Sequence, residues 1–524
     1  MLSFLRHNKG WFVLAVLTIV LLYCGVVKIT AATQMSYFTD EPEDAMIVAS
    51  DISTAPYFFE SSRAPDQARL PHLVALPITL AFSDQALLAT RVLYIFIHII
   101  YLCLIYKLFR LHVSRLQALY GFALTALSSY LFSFSIFTMT SSNNLYLLFG
   151  TLVVYLYMKQ PRGTSSANLR DLTLLGITLG LALGTRFFSA IILGTIFVYD
   201  AWSQRDILRQ QKDTFKQLWK FPYSVLNGGF CVAIIIINLM PRTPYLQIGL
   251  TAVTVVGYMI LLGREYRLRN TRKLPLSFLQ RWLLIGSTAT VFTFLASPVH
   301  LNLRNIMPIF QWSSIWHKTT NFINPSWFDI FTVIGVKTGW IVGILIALAI
   351  GLIAWRRQMG KFVKTYALPI LLVIIHMLIF VKIKYIIAWY PLFLIPFFYL
   401  PFVYIFPKSL QALKRPSQAV LFVILMLIPL SEQYRYWRLF PYGHIDGAQY
   451  SRQYIGWNKP GIVTFEGLNQ IATYLKQHTN ELPPGPMRCE LIQNSMYKNW
   501  SNIITNIIFR QQGVDGFTCH LEFF

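Results

Sequence analysis

Residues 172–201 read LTLLGITLGLALGTRFFSAIILGTIFVYDA, and basic loops flank them on both sides: 159–171 (KQPRGTSSANLRD) and 203–220 (SQRDILRQQKDTFKQLWK). Short loops rich in Lys and Arg stay on the cytoplasmic side of a membrane. One span across 172–201 would put one of these loops on the wrong side. Two short helices that bend near Gly184-Thr185-Arg186 keep both loops inside, with Arg186 at the outer turn or in the interior of a helix bundle. An arginine in so apolar a hairpin needs a compensating anion or a route to water, which makes it a functional candidate by default.

The rest of the chain agrees with a membrane setting. Of 524 residues, 55% are hydrophobic, 15% aromatic and only 13% charged, against roughly 25% charged in a soluble protein. Mean hydropathy is +0.51. Long apolar runs recur from Trp11 to about Glu432, many near the ~20 residues that span a bilayer as a helix. The first, WFVLAVLTIVLLYCGVV, follows Arg6 and Lys9 as a signal peptide would. It lacks a small-x-small cleavage site and reads as an uncleaved first span. The net charge of +24 does not indicate nucleic-acid binding, because the basic residues gather in short loops between apolar runs and so serve topology.

Basic loops at 107–115, 159–171, 203–220, 264–273, 356–364 and 407–416, with the N-terminus, define the cytoplasmic side. Spans are expected near 11–27, 86–106, 116–137, 144–158, 221–240, 245–262, 278–297, 328–355, 365–381, 385–406 and 417–432. With the hairpin they make about thirteen transmembrane helices in residues 1–432. Two long outer loops follow from this topology, 28–85 and 298–327. The tail, 433–524, forms a small extracytoplasmic α/β or irregular domain. Of five cysteines, Cys24, Cys103 and Cys231 lie in apolar runs and read as core residues. Cys489 and Cys519 share the polar tail, and if it faces an oxidising compartment they can pair. No metal-ligand spacing is present.

The acids are concentrated. YFTDEPEDAMIVASD (37–51) holds Asp40, Glu41, Glu43, Asp44 and Asp51, out of 21 acids in the chain. The plain reading is a solvated acidic loop with a helix start capped by Thr39. The functional reading notes that RAPDQARLPHLVALP (63–77) brings Arg63, Arg69 and His72 to the same outer face. A carboxylate can take a proton from a hydroxyl, and cations can stabilise charge developing on a departing phosphate. Arg69 also reads as a side chain snorkelling to lipid headgroups. Residues 298–327 carry His300, Arg304, His317 and Lys318 among Trp312, Trp316 and Trp327. They form either an interfacial aromatic belt or an outer helix that closes over a lipid substrate. There is no Walker A loop, no GxSxG or SxxK elbow and no Gly-rich nucleotide fingerprint.

The order of these features resembles the GT-C superfamily of membrane glycosyltransferases that use polyprenyl-phosphate sugars. The branch is that of protein O-mannosyltransferases and aminoarabinose transferases, the glycosyltransferase family 39 type. Asp40-Glu41 with Ala45 resembles the acidic pair that opens the family's first outer loop. Arg69-Leu70-Pro71-His72-Leu73 resembles its basic-Pro-Pro-hydrophobic element with one proline lost, and Arg91-Val92 the start of its second span. SSNNLYLLF stands where a Thr-Asp-x-Leu span opens, with Asn143 or Asn144 in place of the usual acid. LGLALGTR (179–186) resembles a Gly-rich LGLALxTK element, and KYIIAWYP (384–391) an Arg-Tyr-hydrophobic-Pro motif with a longer gap. GAQYSRQYIGWNKPGIVTFEGLNQIATYL (447–475) resembles a tail element preceding an amphipathic helix.

The resemblance implies an inverting transferase that moves a sugar from a polyprenyl phosphate to a hydroxyl of a lipid, glycan or protein on the outer face. Asp40 would be the catalytic base and Glu41 its neighbour. Arg69, Arg186, Lys382 and Lys384 would hold the donor phosphate. His72, Arg91, His317 and Tyr385 would touch substrate. No nucleotide and no obligatory metal is implied, although the 40–44 acids could bind a divalent ion weakly. The implied location is the bacterial inner membrane, with the N-terminus cytoplasmic and the active site and tail outside. Two alternatives stay open. One is a secondary transporter or lipid flippase, which would need its acids near the bilayer midplane. The other is a glycan polymerase or ligase using lipid diphosphates.

Overall fold

The structure is a computed structural model of the chain. It describes residues 9–34, 70–82, 86–128, 141–160, 169–186, 188–205, 244–272, 278–297, 340–383, 390–410, 487–492 and 517–522, with isolated short pieces elsewhere. The helices are α1 (Lys9–Gln34), α2 (Leu70–Ala81), α3 (Ala86–Arg110), α4 (Arg115–Ala126), α5 (Ser141–Lys159), α6 (Leu169–Thr185), α7 (Ser189–Ser203), α8 (Pro244–Arg272), α9 (Phe278–Ala296), α10 (Trp340–Trp355), α11 (Met359–Thr365), α12 (Ala367–Ile383), α13 (Ile395–Phe398) and α14 (Leu400–Leu410). A 3-10 turn at Tyr390–Leu394 precedes α13.

Val13–Thr30, Leu88–Arg110 and Phe278–Ala296 are long and apolar enough to cross a membrane, and α10 with α11 makes a fourth candidate bent by 115°. Shorter apolar helices, among them α2, α7 and α12, complete the described bundle. Leu22 and Val26 on α1, Phe96 and Ile100 on α3, and Ile344 and Leu348 on α10 point outward, as lipid-facing positions should. These helices make it an integral membrane fold; the thirteen-span count also rests on segments outside the described residues.

The hairpin forms as its flanking charges require. α6 ends at Thr185, α7 begins at Ser189, and Arg186 sits in the turn. The backbone N–H of Arg186 donates to Ala182 O at 3.1 Å and that of Ser189 to Arg186 O at 3.0 Å. The Ser189 hydroxyl donates to Ala182 O at 2.7 Å, so the break in the helix leaves little backbone unmet.

The Gly-rich element has a packing reason. Gly176, Gly180 and Gly184 recur every fourth residue on the face of α6 that meets α9, a spacing that lets membrane helices approach closely. A Cβ at Gly180 would lie 2.5 Å from Ala289 O, and one at Gly184 2.5 Å from Ala296 Cβ. The Thr293 hydroxyl reaches across to Gly180 O at 3.3 Å.

Three features depart from the sequence expectation. α1 continues past position 27 to Gln34, because the chain stays rich in helix-compatible residues after Lys28. The expected outer loop contains α2, LPHLVALPITLA, whose Pro71, His72, Ala75 and Thr79 are buried. It packs on α3, α5 and α6. α11 occupies the expected loop 356–364, after a turn in which Arg357 takes φ 53°. At the opposite side of that loop system, Ser114 caps α4 in a reciprocal box with Gln117, and the Gln117 amide donates to Val403 O at 3.3 Å.

In the tail, β1 (Met487–Ile492) and β2 (Phe517–Glu522) pair in parallel as a two-stranded sheet.

Candidate functional site

The two ends of the bundle carry buried polar groups of different kinds. At the end of the basic loops, Asp200 closes the last turn of α7. Its Oδ1 accepts from the Tyr157 hydroxyl at 2.8 Å and from Gln204 Nε2 at 2.7 Å. Its Oδ2 accepts from Trp282 Nε1 at 2.8 Å, and Arg281 stands 3.9 Å away. The carboxylate therefore fastens α5, α7 and α9 together with its acceptor sites filled. It is a clamp.

At the other end, α2 lies against the start of α3, the start of α5 and the end of α6. Ala75, Tyr94, Ile97 and Leu145 form the apolar contact beneath it. The Tyr94 hydroxyl donates to Pro71 O at 2.7 Å, which holds the first turn of α2 and hence His72, only 4% exposed. Arg91 is buried one turn earlier on α3, and its Nη1 donates to Ala32 O at 3.0 Å. That bond serves one of the carbonyls left open at the C-terminus of α1, where a cation is also favoured by the helix dipole.

Deeper on the same side, Lys28 of α1 and His98 of α3 are fully buried. Lys28 and Asn144 stand beside the imidazole. Asn143 and Asn144, in the first turn of α5, are buried as well. Among the described residues, neither ring nitrogen of His98 nor the Asn143 Nδ2 has a hydrogen-bond partner. A buried polar atom left unmet costs about 1–3 kcal/mol, so this is an expensive place for a stability-driven sequence to keep them. Arg186, half-buried in the hairpin turn, lies within electrostatic reach of Tyr146. The Tyr146 ring contacts Phe393 of the 3-10 turn at 5.4 Å between centroids, and Phe393 contacts His376 of α12 at 5.6 Å. Lys382 lies in the last turn of α12.

Of the residues singled out in the sequence, His72, Arg91 and Arg186 are thus gathered at one end. Asp40, Glu41, Arg69, His317, Lys384 and Tyr385 lie outside the described residues. Sequence reasoning passed over Lys28, taken as the first loop residue, and His98, in the middle of IFIHIIY. Both carried the signal that mattered, an ionisable residue inside an apolar run. No group of His, Cys, Asp and Glu that could hold a metal ion occurs among the described residues.

Comparison with known proteins gives one family match over part of the chain and distant structural likenesses. The sequence profile of the family described as dolichyl-phosphate-mannose-protein mannosyltransferase matches residues 71–218, from the first turn of α2 past the end of α7. This bears out the resemblance drawn from the motifs, over the segment it covers. Among solved structures, the archaeal oligosaccharyltransferase AglB from Archaeoglobus fulgidus, in complex with an inhibitory peptide and a dolichol-phosphate, is similar with a TM-score of 0.45 at 11% identity, covering 98% of this chain and 65% of that one. A second structure, an Archaeoglobus fulgidus oligosaccharyltransferase in complex with Zn and sulfate, has a TM-score of 0.42 at 12% identity, covering 93% and 61%. The chain thus spans about two thirds of the length of either. No curated protein matches the sequence significantly.

Proposed function

We propose that the chain is an integral-membrane, inverting glycosyltransferase that takes a sugar from a polyprenyl phosphate and passes it to a hydroxyl on a lipid, glycan or protein at the outer face. The observation that carries this reading is the content of the family-matched segment: 71–218 includes His72, Arg91 and Arg186, buried or half-buried at one end of the bundle around unmet polar groups. That end is the one away from the basic loops, which the positive-inside rule puts outside.

In this mechanism Asp40 takes the proton from the acceptor hydroxyl, with Glu41 orienting it. The hydroxyl oxygen attacks the sugar C1 from the face opposite the phosphate, the C1–O bond to phosphate breaks, and the anomeric centre inverts. Arg69, Arg186, Lys382 and Lys384 hold the charge on the departing lipid phosphate. His72, Arg91, His317 and Tyr385 position donor and acceptor. The bond broken carries the energy, so no nucleotide is required, and no metal is obligatory.

The test is transfer from radiolabelled polyprenyl-phosphate mannose by the purified full chain, followed across a panel of other polyprenyl-phosphate sugars. Loss of a general base reduces rate by about 10²–10⁴-fold, so Asp40→Asn should fall in that range while folding normally. Full activity in Asp40→Asn would remove Asp40 from the base role. Flux of labelled lipid across liposomes without covalent product would replace the reading with a transporter.

A further inference from the structure

We propose that Cys489 and Cys519 form a disulfide that ties β1 to β2 in the tail. The two positions are register partners in the parallel ladder, between the Arg488–Thr518 and Glu490–His520 pairs. Neighbouring strands lie about 4.8 Å apart, inside the roughly 4.4–6.8 Å Cα separation that disulfides adopt. Strand alternation puts both cysteines on the same face of the ladder. Register alternates Met487–Phe517, Cys489–Cys519 and Leu491–Leu521 with Arg488–Thr518 and Glu490–His520. The competing account is two reduced cysteines serving as apolar residues.

Two observations favour the bond. Among the described residues the ladder has two strands and joins segments far apart in sequence, and a two-stranded pair is marginal in water without further support. The topology read from the basic loops also assigns the tail to the oxidising side, where disulfides persist. The remaining cysteines are accounted for otherwise: Cys24 is buried in α1 with its thiol directed at Ala126 O, 3.6 Å away, Cys103 lies on α3, and Cys231 falls in an apolar run.

Formation is a two-electron exchange with the disulfide of a thiol–disulfide oxidoreductase. One tail thiolate attacks a sulfur of the donor and forms a mixed disulfide. The second tail thiolate then displaces the donor, which leaves as a dithiol carrying both electrons and both protons.

Trypsin gives a direct reading, because Arg488, Lys498 and Arg510 place Cys489 in a 489–498 peptide and Cys519 in a 511–524 peptide. Full-length protein from native membranes is quenched in acid, denatured and treated with N-ethylmaleimide before digestion without reduction. The expected product is one species with both peptides linked, resolved into two after reduction. Recovery of both peptides singly with maleimide on each cysteine would overturn the proposal, as would either linked to another cysteine. In Cys489→Ser, Cys519 should become reactive, while Cys24→Ser should leave the linked species intact. The wild-type digest decides the matter even if a variant fails to fold. It reads sulfur chemistry alone, so its result is separable from that of the transfer assay.

Discussion

Asp200 and His98 are both buried polar side chains among apolar helices, yet their surroundings are opposite. Asp200 meets three hydrogen-bond donors and a nearby guanidinium drawn from three helices. Neither ring nitrogen of His98 makes a full hydrogen bond among the described residues; its near neighbours are the Asn144 amide, within side-chain hydrogen-bond reach, and Lys28. A buried charge with all its partners fixes structure; a buried polar group whose protein partners are incomplete lowers stability. Under the proposed function, the difference separates a structural end of the bundle from the end that would take up substrate.

Four substitutions would break or sharpen that contrast. Asp200→Ala should do most harm, leaving Arg281 and three donors buried without their acceptor; losing one partner of a buried pair costs about 3–5 kcal/mol. The expected result is loss of the folded peak in detergent size-exclusion, and a normal peak would mean the clamp is not structural. Next, Gly180→Val should separate α6 from α9, since its Cβ already falls 2.5 Å from a backbone oxygen. Overpacking of this kind costs about 1–3 kcal/mol, read as a lowered melting temperature. His98→Leu should behave in the opposite sense. Its melting temperature should hold or rise, while sugar transfer drops about 10–100-fold, the equivalent of roughly 1.4–2.7 kcal/mol. A destabilised His98→Leu with normal transfer would erase the distinction between the two ends. The smallest change is Tyr157→Phe, which removes one donor from Asp200 and should cost about 1 kcal/mol with transfer unchanged.

Much of this architecture is legible in the sequence where charge and apolarity act locally. The α6–α7 hairpin follows from two basic loops around one apolar run, and its bend falls beside the predicted Gly184-Thr185-Arg186. α2 is not legible in that way. It is short, holds Pro71 and Pro77, and becomes a helix through burial against α3, α5 and α6. The Asp200 clamp is hidden for another reason, since Tyr157 and Trp282 lie 43 and 82 positions from it. Arg186 stands out in the sequence as a charge inside an apolar hairpin, and His72 by its place beside Arg63 and Arg69. Lys28 was missed because a lysine at the end of an apolar run reads as the end of the span, whereas α1 carries it inside.

The glycine seam between α6 and α9 also has a mechanical consequence. Where the helices meet at three successive turns, α6 contributes only glycines and so has no side chain there to change rotamer, and the two helices act as one beam. Any widening of the bundle must therefore be taken up elsewhere, along joints lined by swivelling side chains. The α4–α14 contact, where the Tyr120 and Phe402 rings meet at 5.2 Å, is such a joint. Arg186, fixed to the end of the beam, would keep its post while the opposite wall swings.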